Sequence, residues 1–133
     1  MMTNYSDGCK IACARNDLQH HILRTLIIYF RTARMARADN ATLQMVLGEI
    51  LAYYELHQQN EEQLMKDISF PDFESHKKNH DIHNQDFIKK IQGVEKGDYA
   101  YADFDEYLSK WIVEHITHED AILRKYLKQL QKY

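Results

Sequence analysis

Apolar residues recur along four long segments at alternating steps of three and four, the spacing of one face of an α-helix. In the first segment His20, Leu23, Ile27 and Phe30 form the stripe, which predicts a helix from about Asn16 to Ala38. Arg24, Arg31, Arg34 and Arg37 lie to its side and read as a solvated face. Asp39-Asn40 supplies a cap for the next helix, about Ala41 to Lys66, which carries Leu43, Leu47, Ile50, Tyr54, His57, Glu61, Leu64 and Ile68 on one stripe. Phe70-Pro71-Asp72 predicts a turn, because the residue before proline avoids helical angles and Asp72 can accept a free amide of the helix that follows. That third helix has the stripe Phe73, His76, His80, His83, Phe87 and Ile91, with Gly93 as its expected stop. After a loop over 94–103, a fourth helix starts near Asp103, keeps Phe104, Leu108, Trp111, His115 and Ile122 inward, and ends in the basic stretch 124–133. Residues 1–14 show no such stripe and are expected to form an irregular arm across the bundle, with Tyr5 and Ile11 to bury. Four helices of similar length joined by short links predict an all-α, up-down-up-down antiparallel four-helix bundle, a single domain over 1–133.

Composition narrows this picture without changing it. One proline and four glycines in 133 residues leave long stretches free of helix breakers. A net charge of -3 with both signs well mixed argues against a nucleic-acid groove or a basic membrane-binding face. The longest apolar run, Leu26 to Phe30, is too short to span a bilayer, and the first residues lack the charged-then-apolar pattern of a leader, so a cytoplasmic location is expected. Cys9 and Cys13 have no second Cys or His pair at zinc-finger spacing and are read as free thiols packed against the bundle.

The second helix contains the first sign of chemistry: His57 and Glu61 sit where a plain bundle places leucines. A histidine and a carboxylate four apart on a helix share one face and can serve one metal site. Three other segments carry partners of the same kind: His20, the pair His76 and His80, and the pair His115 and Asp120. Burying five imidazoles and two carboxylates without a cation would leave their desolvation uncompensated, whereas divalent ions neutralise the carboxylates and use the imidazole lone pairs. Seven side chains exceed what one ion accepts, so the set predicts a two-metal centre. Imidazole-rich coordination suits iron, zinc or copper better than calcium or magnesium. Carboxylate-rich iron-oxidising bundles use Glu-x-x-His twice, and that motif is absent from this chain. Of the remaining histidines, His21 is expected to face out, His118 to lie close to the His115 face, either behind a ligand or partly exposed, and His83, one turn below His80, is open to either reading. One ligand is also open. On a regular helix a residue five beyond His115 lies about 140° round and one four beyond about 40°. Glu119 is therefore the better-placed carboxylate if the helix is regular, and Asp120 if it is locally widened.

The motifs Asp-x-x-His (Asp17, His20), His-x-x-x-Glu-Glu (His57, Glu61, Glu62), His-x-x-x-His (His76, His80) and Trp-x-x-x-His-x-x-x-x-Asp (Trp111, His115, Asp120) occur in this order. In this the chain resembles the hemerythrins, and in length and architecture the single-domain bacteriohemerythrins, over about residues 17 to 130. The resemblance implies two non-haem iron ions bridged by Glu61, Asp120 and an oxo or hydroxo group. His76, His80 and His115 would fill one ion's coordination, while His20 and His57 would leave the other an open position for dioxygen. Leu23, Trp111, Ile112 and Ile116 would wall the oxygen pocket. Gln58 departs from the phenylalanine usual after this ligand histidine, and is expected to hydrogen-bond bound dioxygen or to admit water. His83 stands where an apolar residue is more common, and the N-terminal arm lacks the family's Trp and Val-Gly.

The function so implied is reversible dioxygen binding for transport, storage or delivery, without catalysis. The expected partners are dioxygen and an oxygen-consuming enzyme, with no nucleic acid and no membrane, and the expected state is a monomer. Two alternatives stand beside it. One is a diiron enzyme or stress protein on the same scaffold (ferroxidase, peroxidase, nitric-oxide handling or iron-centre repair), and the other is a structural bundle whose histidines hold zinc.

Overall fold

The computed structural model describes the backbone of residues 5–115, 118 and 120–130, and their side chains from Ala14 onward with position 120 excepted. Among the described residues all regular structure is helical: α1 (Tyr5–Met35), α2 (Asn40–Asp67), α3 (Phe73–Lys96), α4 (Tyr101–Glu114) and α5 (Asp120–Leu130). α1 packs against α2, α4 and α5, and α2 packs against α3. None of these helices is long and apolar enough to cross a membrane.

The helix ends show which local signals governed. Asp39 caps α2 as expected, accepting from the Thr42 amide at 2.8 Å. Asp72 precedes α3 but makes no side-chain cap bond, so the turn there rests on Pro71 and not on a capping carboxylate. α3 does not stop at Gly93. It runs on to Lys96 and ends at Gly97, whose φ of 80° is the left-handed angle glycine tolerates best. The Gly97 amide reaches the Val94 carbonyl and the Asp98 amide the Gly93 carbonyl, the paired bonds of a Schellman ending. The expected irregular arm is replaced in part by helix, since α1 begins at Tyr5. Gly8 is the one strong breaker between there and Asn16, and extending an established helix costs far less than starting one. The side chains of Cys9 and Cys13 lie outside the described residues.

The buried apolar residues form two clusters. The larger joins Leu23, Ile27 and Phe30 of α1, Leu43, Leu47, Ile50 and Tyr54 of α2, Phe87 of α3, and Phe104, Leu108, Trp111 and Ile112 of α4. The smaller joins Met65, Ile68 and Phe70 to Leu123 and Leu127 of α5. On α2 and α3 the buried histidines and Glu61 fall in sequence between the two clusters, and His115 falls between the larger cluster and α5. Along α2, and again from α4 to α5, the chain passes from the larger cluster to the smaller; along α3 the order is reversed.

Between α4 and α5 the winding changes. The backbone at His115 and His118 is in wider π-helical turns, which accommodate an extra residue. Its effect is visible downstream: Ile122, expected inward, is 56% exposed, while Leu123 is 1% exposed. On a regular helix Ile122 would lie about 20° from His115 and Leu123 about 80°. Taking up one residue moves Leu123 into the place Ile122 would have held.

The arginine side of α1 is more than a solvated face. Asp105, 4% exposed, accepts from Arg31 Nε at 3.0 Å and from Arg34 at 2.9 Å, and Arg31 also reaches Ser109 Oγ at 2.6 Å. These bonds fix α1 against α4 above the histidines.

Candidate metal centre

His20 of α1, His57 and Glu61 of α2, and His76 and His80 of α3 are buried, as is His115 at the end of α4. These six of the seven expected ligands come together. The seventh, Asp120, opens α5, but its side chain lies outside the described residues, as do Glu119 and the pocket residue Ile116. The donor atoms fall into two sets: His20, His57, Glu61 and His115 in one, and Glu61, His76 and His80 in the other. Within each set they lie within 4.8 Å of one another. His115 falls in the set with His20 and His57, its Nε2 3.3 Å from that of His57, and its ring also lies 5.9 Å from that of His80, the partner the resemblance implied. Its ring is stacked near-parallel on Trp111 and meets Tyr54 edge-on, so aromatic packing fixes its direction.

Glu61 belongs to both sets because its two oxygens face apart. Oε1 lies 2.5 Å from His76 Nε2 and 3.2 Å from His80 Nε2, while Oε2 lies 3.3 Å from His57 Nε2. Burial pushes this carboxyl up, but hydrogen bonds from His57, His76 and His80 and the charge on His57 outweigh it and hold Glu61 well below the usual carboxylate range. The carboxylate is therefore anionic and turned to both sets of imidazoles, the arrangement a bridging ligand requires.

Sequence reading missed one positioning residue. Gln19, 7% exposed, places its carboxamide oxygen 2.8 Å from His57 Nδ1. A carboxamide oxygen only accepts, so Nδ1 carries a proton, and the neutral ring that a metal ion would bind has its lone pair on Nε2, toward the centre. Gln19→Leu is expected to weaken divalent-cation binding by about 10–100-fold, the range seen when such outer partners are removed; competition with a chromophoric chelator measures it.

Gln58 is committed to α3. Its amide nitrogen approaches the His80 carbonyl at 3.4 Å, and its oxygen accepts from Asn84 at 2.6 Å. It lines a polar cavity of about 210 Å³ between α2 and α3. Leu23, Trp111 and Ile112, the expected pocket walls, are all buried. His83 is half-buried and joins neither donor set, His21 is exposed as expected, and so is His118.

Two buried sets of imidazoles sharing one anionic carboxylate, with a ring nitrogen held in the ligating tautomer, suit a pair of divalent transition-metal ions. The class is that of helical proteins with a buried, histidine-rich metal centre. The model of the hemerythrin HHE cation binding domain matches residues 15–127, and the chain belongs to the hemerythrin family. It is 27% identical over 109 residues to the bacteriohemerythrin of Pseudomonas aeruginosa strain LESB58, covering 79% of this chain and 68% of that protein. It is 25% identical over 120 residues to the bacteriohemerythrin of Stenotrophomonas maltophilia strain R551-3, covering 87% and 75% respectively. No solved structure matches.

Proposed function

We propose that this chain binds dioxygen reversibly at a non-haem diiron centre held by His20, His57, Glu61, His76, His80, His115 and Asp120. The observation that carries the reading is Glu61, buried and anionic, with one oxygen toward His76 and His80 and the other toward His57. Asp120 enters as the second shared carboxylate through the backbone. The π turn that brings Leu123 inward also shifts position 120 to the angle a residue four beyond His115 would take on a regular helix. That register favours Asp120 over Glu119. The same register supports reading α4 and α5 as one interrupted helix, and the alternating order of the two apolar clusters along α2, α3 and α4–α5 supports an up-down-up-down four-helix bundle.

Iron bound there would supply the electrons and the open coordination position that dioxygen requires. The chain's own contribution is to orient, insulate and exclude. Gln19 fixes the His57 tautomer, and Trp111 and Tyr54 aim His115. Leu23, Trp111 and Ile112 would give the metal pair a buried apolar wall, beside which uncompensated charge is costly. The proposed role is carrier or store and not enzyme, in the cytoplasm, as a monomer that delivers to an oxygen-consuming enzyme. The test is to load the protein with iron, reduce it without air, admit oxygen and remove it again while recording the visible spectrum. A charge-transfer band that comes with oxygen and leaves with it is expected. Direct passage to a stable oxidised spectrum would overturn the carrier reading and point to a diiron redox enzyme.

A further inference from the structure

We infer that the polar cavity between α2 and α3 is the port through which a hydrated divalent cation reaches the buried centre; this rests on the metal-centre reading above. The cavity holds about 210 Å³, room for a cation with part of its water shell. Three carboxylates line it, those of Glu55, Glu62 and Asp81, against a single lysine, Lys77. Its inner wall is His80, which is 1% exposed.

His80 faces two ways. Its Nε2 lies 3.2 Å from Glu61 inside the centre, while Nδ1 lies 3.8 Å from Glu62 Oε1, a residue that lines the cavity. That Nδ1 is buried and makes no hydrogen bond among the described residues. With Nε2 turned to the centre the neutral ring carries its proton on Nδ1, and a deeply buried N–H without a hydrogen bond, beside a carboxylate on the cavity wall, suits a water molecule in the cavity such as a hydrated ion brings with it. Lys77 occupies the carboxylates from outside, with Nζ 3.4 Å from Asp81 and 4.0 Å from Glu62. Its own side chain is 45% exposed, so it can swing into solvent at little cost when a doubly charged ion arrives. Dioxygen, being apolar, gains nothing from such a lining. The cavity and the buried apolar residues Leu23, Trp111 and Ile112 therefore divide the work, with cations arriving by one and dioxygen held by the other.

The port predicts effects on the rate of loading and not on its extent. Apo-protein is mixed in a stopped-flow instrument with cobalt(II), which is not oxidised under these conditions and reports binding by its visible absorption. A Glu55→Gln, Asp81→Asn double variant is expected to load about tenfold more slowly, because the local field that gathers cations is weakened, and still to reach the wild-type stoichiometry. Lys77→Met is expected to load faster than wild type. Wild-type rates in both variants at full stoichiometry would overturn the port and leave the metal centre intact. A lower final stoichiometry in the double variant would overturn it too, by placing these carboxylates in the centre itself. A wild-type chain that takes up no cation would remove both the centre and its port.

Discussion

Glu61→Gln is expected to lose the metal pair. The substitution keeps the shape of the side chain but replaces an anion shared by two sets of imidazoles with a neutral amide, one end of which donates where a ligand must accept. Loss of an outer partner costs about 10–100-fold in affinity, so loss of the shared inner carboxylate costs more than about 100-fold. Metal analysis after desalting checks this directly. Thermal melting supplies a second readout. A cation present at a hundredfold over its dissociation constant stabilises the folded chain by about 3 kcal/mol, or about 10 °C for a domain of this size. The wild type should gain this shift with iron(II) in the absence of air, and Glu61→Gln should not. An equal shift in both would show that Glu61 is not a ligand.

The second large effect concerns the winding after His115. Leu123→Ala removes a buried side chain of the smaller apolar cluster and is expected to cost about 2–5 kcal/mol of stability. Ile122→Ala, at its more exposed neighbour, should change stability by no more than about 0.5 kcal/mol. Urea denaturation of the two apo-proteins separates the cases. Equal costs, or the reverse order, would restore regular winding between α4 and α5 and with it the case for Glu119 as the bridging carboxylate.

This contrast also marks where sequence reading reached its limit. The stripes on α1, α2 and α3 could be read because regular helices keep the three-and-four spacing, and every histidine singled out as a ligand is buried. Inward Ile122 follows from the same rule and fails, because the one residue taken up in the π-helical turns at His115 and His118 leaves no mark in the apolar pattern before it. Gly93 was the nearest glycine to the end of the α3 stripe, but Gly97 is where the backbone turns left-handed, and the choice rests on where Asp98 and Tyr99 fold back to the Gly93 carbonyl. Gln19 is polar and neighbours His20, and a polar residue in a helix usually marks the outer face. Its role depends on α2 placing His57 opposite, a contact between residues 38 apart. Asp105 is the same case: its burial could not be read without knowing that Arg31 and Arg34 of α1 meet it across the bundle.

The most direct test of the central claim is an anaerobic titration of the apo-protein with iron(II), followed by melting temperature and by free-metal indicator. The arrangement of five imidazoles around a shared carboxylate predicts uptake that ends at two ions per chain, with the melting temperature rising until that point and level beyond it. Uptake that ends at one ion, or a melting temperature indifferent to iron, would contradict a buried two-metal centre.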